Sequence, residues 1–314
     1  MHIRTPNKYS AVLLLTALIG FKSTAAGQMD GPADTAASDI VYIFGSRSFA
    51  DSVVLYDPGA PGRGTGDEPD LRFQNPKKAL GPPDHKENSQ EGFVSLGKGG
   101  SLILKFTDNL LIDEPGPDIM LYEVAPDTES VNVWISPDGV TFMSVGKASR
   151  ASPLIDIGRA AEIGTAYPYI KLRDDFLTGE QTGAALGADI DAVGAIHTVL
   201  PVIISADTLF YENTSDLKNH AAASLSDAIE MIHLYPEARI SINVYSDSQG
   251  ADTYMEILTQ VRAGKIRDYF LDKGQIKNMD VRAFGWGRKK PVASNETEAG
   301  RKKNRRVEIL ISTP

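Results

Sequence analysis

The segment ARISINVYSDSQGADTYMEILTQVRAGKIRDYF, residues 238–270, changes its hydrophobic period part-way along. Ile240, Ile242 and Val244 alternate with polar neighbours, the signature of a half-buried strand, and beyond Gly250 the apolar spacing becomes helical. Gly274, after RDYFLDK, marks the end of that helix. The strand ends on an acid, Asp247, and the helix carries Arg262 four residues after Leu258 and four before Ile266. At the margin of an apolar stripe an arginine packs its stem and projects its head. A helix starting at Ala251 puts Arg262 about 16 Å along its axis, so the two charges meet only if the helix folds back over the strand end. Taken singly, Asp247 reads as an Asx-turn or helix cap and Arg262 as a solvated surface cation.

Outward from this segment, SDLKNHAAASLSDAIEMIHLYP sets Leu217, Ala221, Leu225, Ala228, Ile229 and Ile232 on one helical stripe, with Ser215 as N-cap and Pro236 as stop. MDVRAFG and RRVEILI supply two more strands. The order strand, helix, strand, helix, strand, strand predicts an α/β sandwich with helices on a mixed sheet, over residues 199–314.

The chain from Ile204 to Ile311 resembles the OmpA-like peptidoglycan-binding family. The likeness is carried by ADTLFYENTSDLK, by YSDSQGADTYMEILTQVRAGKIRDYF and by FGWGRKKPVASNETEAGRKKNRRVEI, in that order and spacing. It implies a βαβαββ fold and a role for Asp247 and Arg262 in holding the diaminopimelate of the cell-wall stem peptide. That ligand ends in a free amino acid, and a carboxylate with a guanidinium is its complement; arginine grips a carboxylate through parallel charge-assisted hydrogen bonds. The resemblance also implies ligand contacts from Asn213, Ser246 and Arg305, although Asn213 reads equally well as local turn chemistry. Two positions depart from the family pattern. Met255 stands where an Asn is usual and Val244 where a Gly is usual, and Met cannot donate a hydrogen bond.

From residue 40 the texture is different. IVYIFG, GFVSLG, SLILKF, IMLYEV, VNVWIS, VTFMSV, YPYIKL and IDAVGAI recur between Gly, Pro and Asp clusters, which predicts an all-β sandwich, jelly-roll-like, over 40–198. It is similar to the β-sandwich modules of bacterial surface proteins and more loosely to galactose-binding jelly rolls, a likeness that implies the fold and little else; a ligand- or partner-binding module, for envelope proteins or glycans, is the expected role. Pro137 and Gly139 in SPDG are turn chemistry, and Tyr56 to Pro83 reads as a long surface loop. Acids gather in the loops, and Asp189 with Asp191 at strand spacing are candidates for a structural calcium. Trp134 lies in a core-like strand pattern. No histidine pair has metal-ligand spacing, and no cofactor is expected.

The amino terminus has basic residues His2, Arg4 and Lys8, then AVLLLTALIGF, then small STAAG, the layout of a signal peptide over 1–26, with 27–39 a flexible leader. Its apolar run is too short to cross a bilayer, so no transmembrane segment is expected in the mature chain. The chain has no cysteine, which removes disulfides, thiolate chemistry and lipid attachment through a cysteine. A net charge of -9 argues against nucleic acid as a partner, and the run Arg288 to Arg306 reads as a solvated basic rim. The expected protein is therefore a non-enzymatic, noncovalent peptidoglycan binder of the periplasm, associated with the outer membrane. The alternatives are a cell-wall hydrolase, with Glu123 and Asp118 as its carboxylates, or a carbohydrate-binding protein, each targeted by the same domain.

Overall fold

Alternation of Val, Ile and Leu with polar residues builds strands such as Ser101–Lys105, Ser130–Ser136 and Tyr169–Asp174. The computed structural model describes residues 40–59, 68–86, 89–124, 129–162, 165–175, 184–276 and 279–314; the expected signal peptide and leader lie outside the described residues. The described residues divide into two compact units meeting between Thr198 and Val199.

In the first unit, β1 (Ser52–Asp57), β2 (Val94–Ser95), β3 (Ser101–Lys105), β4 (Ile119–Glu123), β5 (Ser130–Ser136), β6 (Met143–Ser149), β7 (Leu154–Ile155), β8 (Tyr169–Asp174) and β9 (Asp189–Ala195) make two sheets. Their orders are β1-β3-β8-β5-β6 and β2-β9-β4-β7, with antiparallel neighbours throughout. Leu102 and Leu104, Val131 and Val133, Ile170 and Leu172 face inward from one sheet to join Ile119, Leu121, Ile190 and Val193 of the other in a single buried cluster. Burial of side chains this size contributes about 1.5–3 kcal/mol each. Trp134 is only half-buried, on the other side of β5 from Val133 and Ile135, with Lys171 Nζ 5.5 Å from its ring centre, so it is not a core residue.

Two sequence readings in this unit are corrected. IVYIFG is not a strand: it ends in a tight turn closed by Gly45 N–H donating to Tyr42 O, and Gly45, at a left-handed φ of +56°, opens a short 3-10 helix over Gly45–Ser48. Tyr56 and Asp57 belong to β1 rather than to a loop, and within the expected loop Phe73 is buried.

The second unit runs β10 (Thr198–Ser205), α1 (Ala206–Leu209), α2 (Ala221–Leu234), β11 (Arg239–Tyr245), α3 (Asp252–Asp272), β12 (Val281–Gly287), α4 (Glu298–Asn304) and β13 (Arg306–Ser312). Its strands lie in the order β12-β11-β13-β10, with β11 and β12 parallel and the other pairs antiparallel. The expected order of strands and helices is present with α1 and α4 added. Ser215 does not cap α2. A bridge between Phe210 and Leu217 holds that stretch extended, and the helix begins six residues after Ser215, at Ala221.

A parallel connection requires the chain to return along the sheet, and α3 makes that return. Leu258, Thr259, Ala263, Ile266 and Phe270 are its buried residues. The close fit is set at Gly285: a Cβ there would lie 2.0 Å from Gln260 N. Gln260 also serves the open edge of β12. Its Oε1 accepts from Gly285 N–H at 2.8 Å and its Nε2 donates to Ala283 O at 3.2 Å, the two bonds a further strand would make.

Candidate functional site

One pocket in the second unit, about 410 Å³ in volume, collects most of the residues singled out above. Asp247, Arg262, Asn213, Ser246 and Arg305 all line it, as does Met255. The helix folds back over the strand end, as convergence requires. Met255, Leu258 and Arg262 occupy one face of α3 over nearly two turns, about 10 Å.

Each charge has its own support. Asp247 is buried at 3% exposure. Its Oδ1 accepts from Gln249 N–H at 2.9 Å, the Asx-turn bond that its sequence context offers, and its Oδ2 accepts from Arg305 Nη1 at 2.5 Å. A carboxylate has about four acceptor directions, so these bonds leave capacity for a ligand donor. Ser246 donates from Oγ to Asp247 O at 3.2 Å, while its N–H donates to Gly287 O and ties the loop to β12.

Arg262 is held from the opposite wall. Its Nε donates to Thr214 O at 2.7 Å and Nη2 to Tyr211 O at 3.2 Å, and its guanidinium carbon lies 4.8 Å from the Phe210 ring centre. Those carbonyls are aimed by a tight turn in which Asn213 takes φ +55°, a left-handed conformation that Asn tolerates, and in which Asn213 O accepts from Tyr254 Oη. Among the described residues no carboxylate lies within 4.0 Å of Arg262. Burial lowers its pKa, and nearby Asp207 and Tyr254 offset this in part.

Arg305, the expected second cationic contact, lines the pocket and is already bonded to acids. Its Nε donates to both oxygens of Asp207 at 3.0 Å, Nη1 to Asp247 and Nη2 to Glu298 at 2.8 Å. Burial opposes its charge, but the bonds to Glu298, Asp247 and Asp207 outweigh this and hold it firmly cationic. Arg305 thus gathers three acids, Asp247 among them. The exposed Glu298 carboxylate is in turn held below its usual range by Arg305 and Arg301. Asp207 and Glu298 were missed in the sequence; Glu298 stands seven residues before Arg305, the return spacing of one helical face, and Asp207 sits inside the quoted ADTLFYENTSDLK.

The basic run is a solvated rim only in part: Lys302 and Lys303 are exposed, whereas other members are paired or buried. Arg288 pairs with Asp252 at 2.7 Å, Lys289 with Glu256 at 3.1 Å and Arg301 with Glu298 at 2.8 Å. Arg306 is buried against Glu308, 2.7 Å away, with its guanidinium 3.8 Å from the Tyr245 ring centre. The departures also have positions. Met255 packs its methyl beside Gly250 at the pocket wall, and Val244 is fully buried within β11.

The calcium candidates do not form a cluster. Asp189 Oδ1 accepts from Ser95 Oγ at 2.5 Å, and Asp191 accepts from the backbone N–H groups of Asp84 and His85. Each carboxylate is committed to local structure. Among the described residues, the one acidic group whose ligand atoms lie within 4.8 Å of each other is Asp113, Asp118 and Asp156. Asp118 in that group already accepts from Glu114 N–H, Ile157 N–H and His197 Nδ1–H. Glu123, paired with Asp118 in the hydrolase reading, instead accepts from Arg150 N–H at 3.2 Å.

The sequence of residues 209–305, the stretch that carries this pocket's Phe210 turn, Asp247, Arg262 and Arg305, matches the OmpA family. Residues 209–305 are an OmpA family domain. Outer membrane porin F of Pseudomonas aeruginosa is 31% identical over 122 residues, covering 39% of this chain and 35% of the relative. The peptidoglycan-binding protein ArfA of Mycobacterium tuberculosis is 35% identical over 88 residues, 28% of this chain and 27% of its own length. This chain therefore spans about a third or less of these curated relatives. Among solved structures, the peptidoglycan-associated lipoprotein of Burkholderia pseudomallei is similar at 25% identity and TM-score 0.30, over 33% of this chain and 87% of that one. No helix among the described residues is long and apolar enough to cross a membrane.

Proposed function

We propose that the OmpA family domain holds the diaminopimelate end of a peptidoglycan stem peptide, making the protein a noncovalent, non-enzymatic anchor in the periplasm beside the outer membrane. Asp247 takes the ammonium of the ligand's free amino-acid head and Arg262 takes its carboxylate. The observation that carries this reading is the Arg262 guanidinium, half-buried in a pocket with Asp247 and, among the described residues, without a carboxylate of its own within 4.0 Å. A partly buried cation without a counterion is costly, and a ligand carboxylate relieves that cost. Asn213 and Ser246 complete the contact surface, and Arg305, bonded to Asp247, keeps that carboxylate aimed. The relatives' domain, carried by an outer membrane porin and by a peptidoglycan-binding protein, supports the envelope setting.

In the same reading, residues 1–26 direct export, and residues 40–198 form a jelly-roll-like sandwich that presents a surface to an envelope protein or glycan. The test is sedimentation with purified peptidoglycan. The full chain pellets, whereas Asp247→Asn and Arg262→Met remain in the supernatant with unchanged circular dichroism. Each loses on the order of 1.5–3 kcal/mol of charge-assisted bonding. Equal pelleting of all three proteins contradicts the assignment.

A further inference from the structure

A second cation faces the same pocket. Lys218 lines it, and among the described residues no carboxylate lies within 4.0 Å of its ammonium. Its Nζ donates to the backbone carbonyl of Asp207 at 2.6 Å and lies 6.0 Å from the Tyr211 ring centre. An ammonium has three donors, so this bond leaves two for a ligand. The acid best placed to neutralise it is Asp207, but both oxygens of that side chain accept from Arg305.

The pocket's charges therefore separate into two groups. Asp207, Asp247 and Glu298 surround the single guanidinium of Arg305, while Arg262 and Lys218, both tied to the segment 207–214, have no acid partner among the described residues. A ligand with one ammonium and one carboxylate answers Asp247 and Arg262 and leaves Lys218 uncompensated. We infer that Lys218 binds a second carboxylate of the same ligand, so that the site selects stem peptides carrying two free carboxylates near the diaminopimelate. This rests on the function proposed above and adds to it. Two groups have the required chemistry: the carboxylate at the other head of diaminopimelate, and the α-carboxylate of a γ-linked glutamate beside it.

The experiment is isothermal titration of the full chain with alanyl-γ-glutamyl-diaminopimelate and with two forms of it, amidated at one or the other of those carboxylates. Lys218→Met weakens the unamidated peptide about tenfold, the usual consequence of losing one charge-assisted bond. Lys218→Arg restores most of that loss. One of the two amidated peptides binds the unsubstituted chain about tenfold more weakly, and Lys218→Met weakens it no further; that peptide identifies the source of the second carboxylate. Unchanged affinity in Lys218→Met, or equal weakening of all three peptides, overturns the inference, the latter because a purely structural lysine would act on every ligand alike. If Arg262→Met still abolishes binding in that case, the diaminopimelate reading stands without it. If the unsubstituted chain binds none of the peptides, both fall.

Discussion

Asp189 is a buried carboxyl whose stability effect has an unusual sign. Burial raises its pKa from 3.8 to about 6, against smaller opposing contributions from the Ser95 hydroxyl and His85. Between those values the folded chain keeps a proton that the unfolded chain has released, so stability falls as pH rises. The loss is at most about 1.4 kcal/mol per pH unit across that window, and it levels off above it. Asp189→Asn removes the dependence. Thermal unfolding of wild type and variant should coincide near pH 4 and diverge toward pH 7, the variant melting higher; parallel profiles would contradict the assignment. The same residue illustrates what a sequence leaves open. Spacing put Asp189 and Asp191 on one strand, but their partners, Ser95 and the 84–85 backbone, lie about a hundred positions away in the chain. Asp247 and Arg262 were legible because family motifs linked them, whereas Asp207, which joins Asp247 on Arg305, lies about a hundred positions from that arginine with no local pattern to connect the two.

The position of α3 decides where Arg262 stands, and that position depends on a glycine. Gly285→Ala places a methyl against the Gln260 backbone and must move the helix. Overpacking of this kind costs about 1–3 kcal/mol, and the shift should also weaken ligand binding. Gly264→Ala, on the same helix, meets no atom within 4 Å and should raise stability by roughly 0.5–1 kcal/mol through helix propensity. Urea unfolding of the two variants checks both; loss in each, or in neither, would show that α3 is not pinned at Gly285. Strands such as β3 and β5 were readable because strong alternation coincides with burial; in helix α3 the return of Leu258, Ala263, Ile266 and Phe270 marks the buried face although Ile257 and Val261 are exposed. Strand β1 was not, because a bulge between Val53 and Leu55 breaks its alternation and leaves Val54 and Leu55 exposed. Helix α4 has no apolar stripe. It is fixed by the Thr297 cap and by buried Asn304, which bonds Val292, Ala293 and Asn295. Tertiary contacts of that kind leave no periodic trace.

At the scale of the whole molecule the chain carries a net charge of -9, yet its proposed target is itself anionic. Long-range attraction cannot drive such binding; short contacts inside a pocket must, and salt screens those far less than it screens surface charges. Affinity for a diaminopimelate peptide should therefore change less than about threefold between 0.05 and 0.3 M salt. A steep decline would point to a basic surface instead of the pocket. The central claim is that Asp247 and Arg262 clasp one amino-acid head, and the sharpest measurement matches each protein group to one ligand group. Dissociation constants are compared for a stem tripeptide ending in diaminopimelate, in lysine, which lacks the second carboxylate, and in 2-aminopimelate, which lacks the second ammonium. The account predicts that Arg262→Met ceases to distinguish the lysine peptide and Asp247→Asn ceases to distinguish the aminopimelate peptide, each keeping the other preference. If both variants retain the full discrimination of the unsubstituted chain, the two side chains do not touch the ligand head.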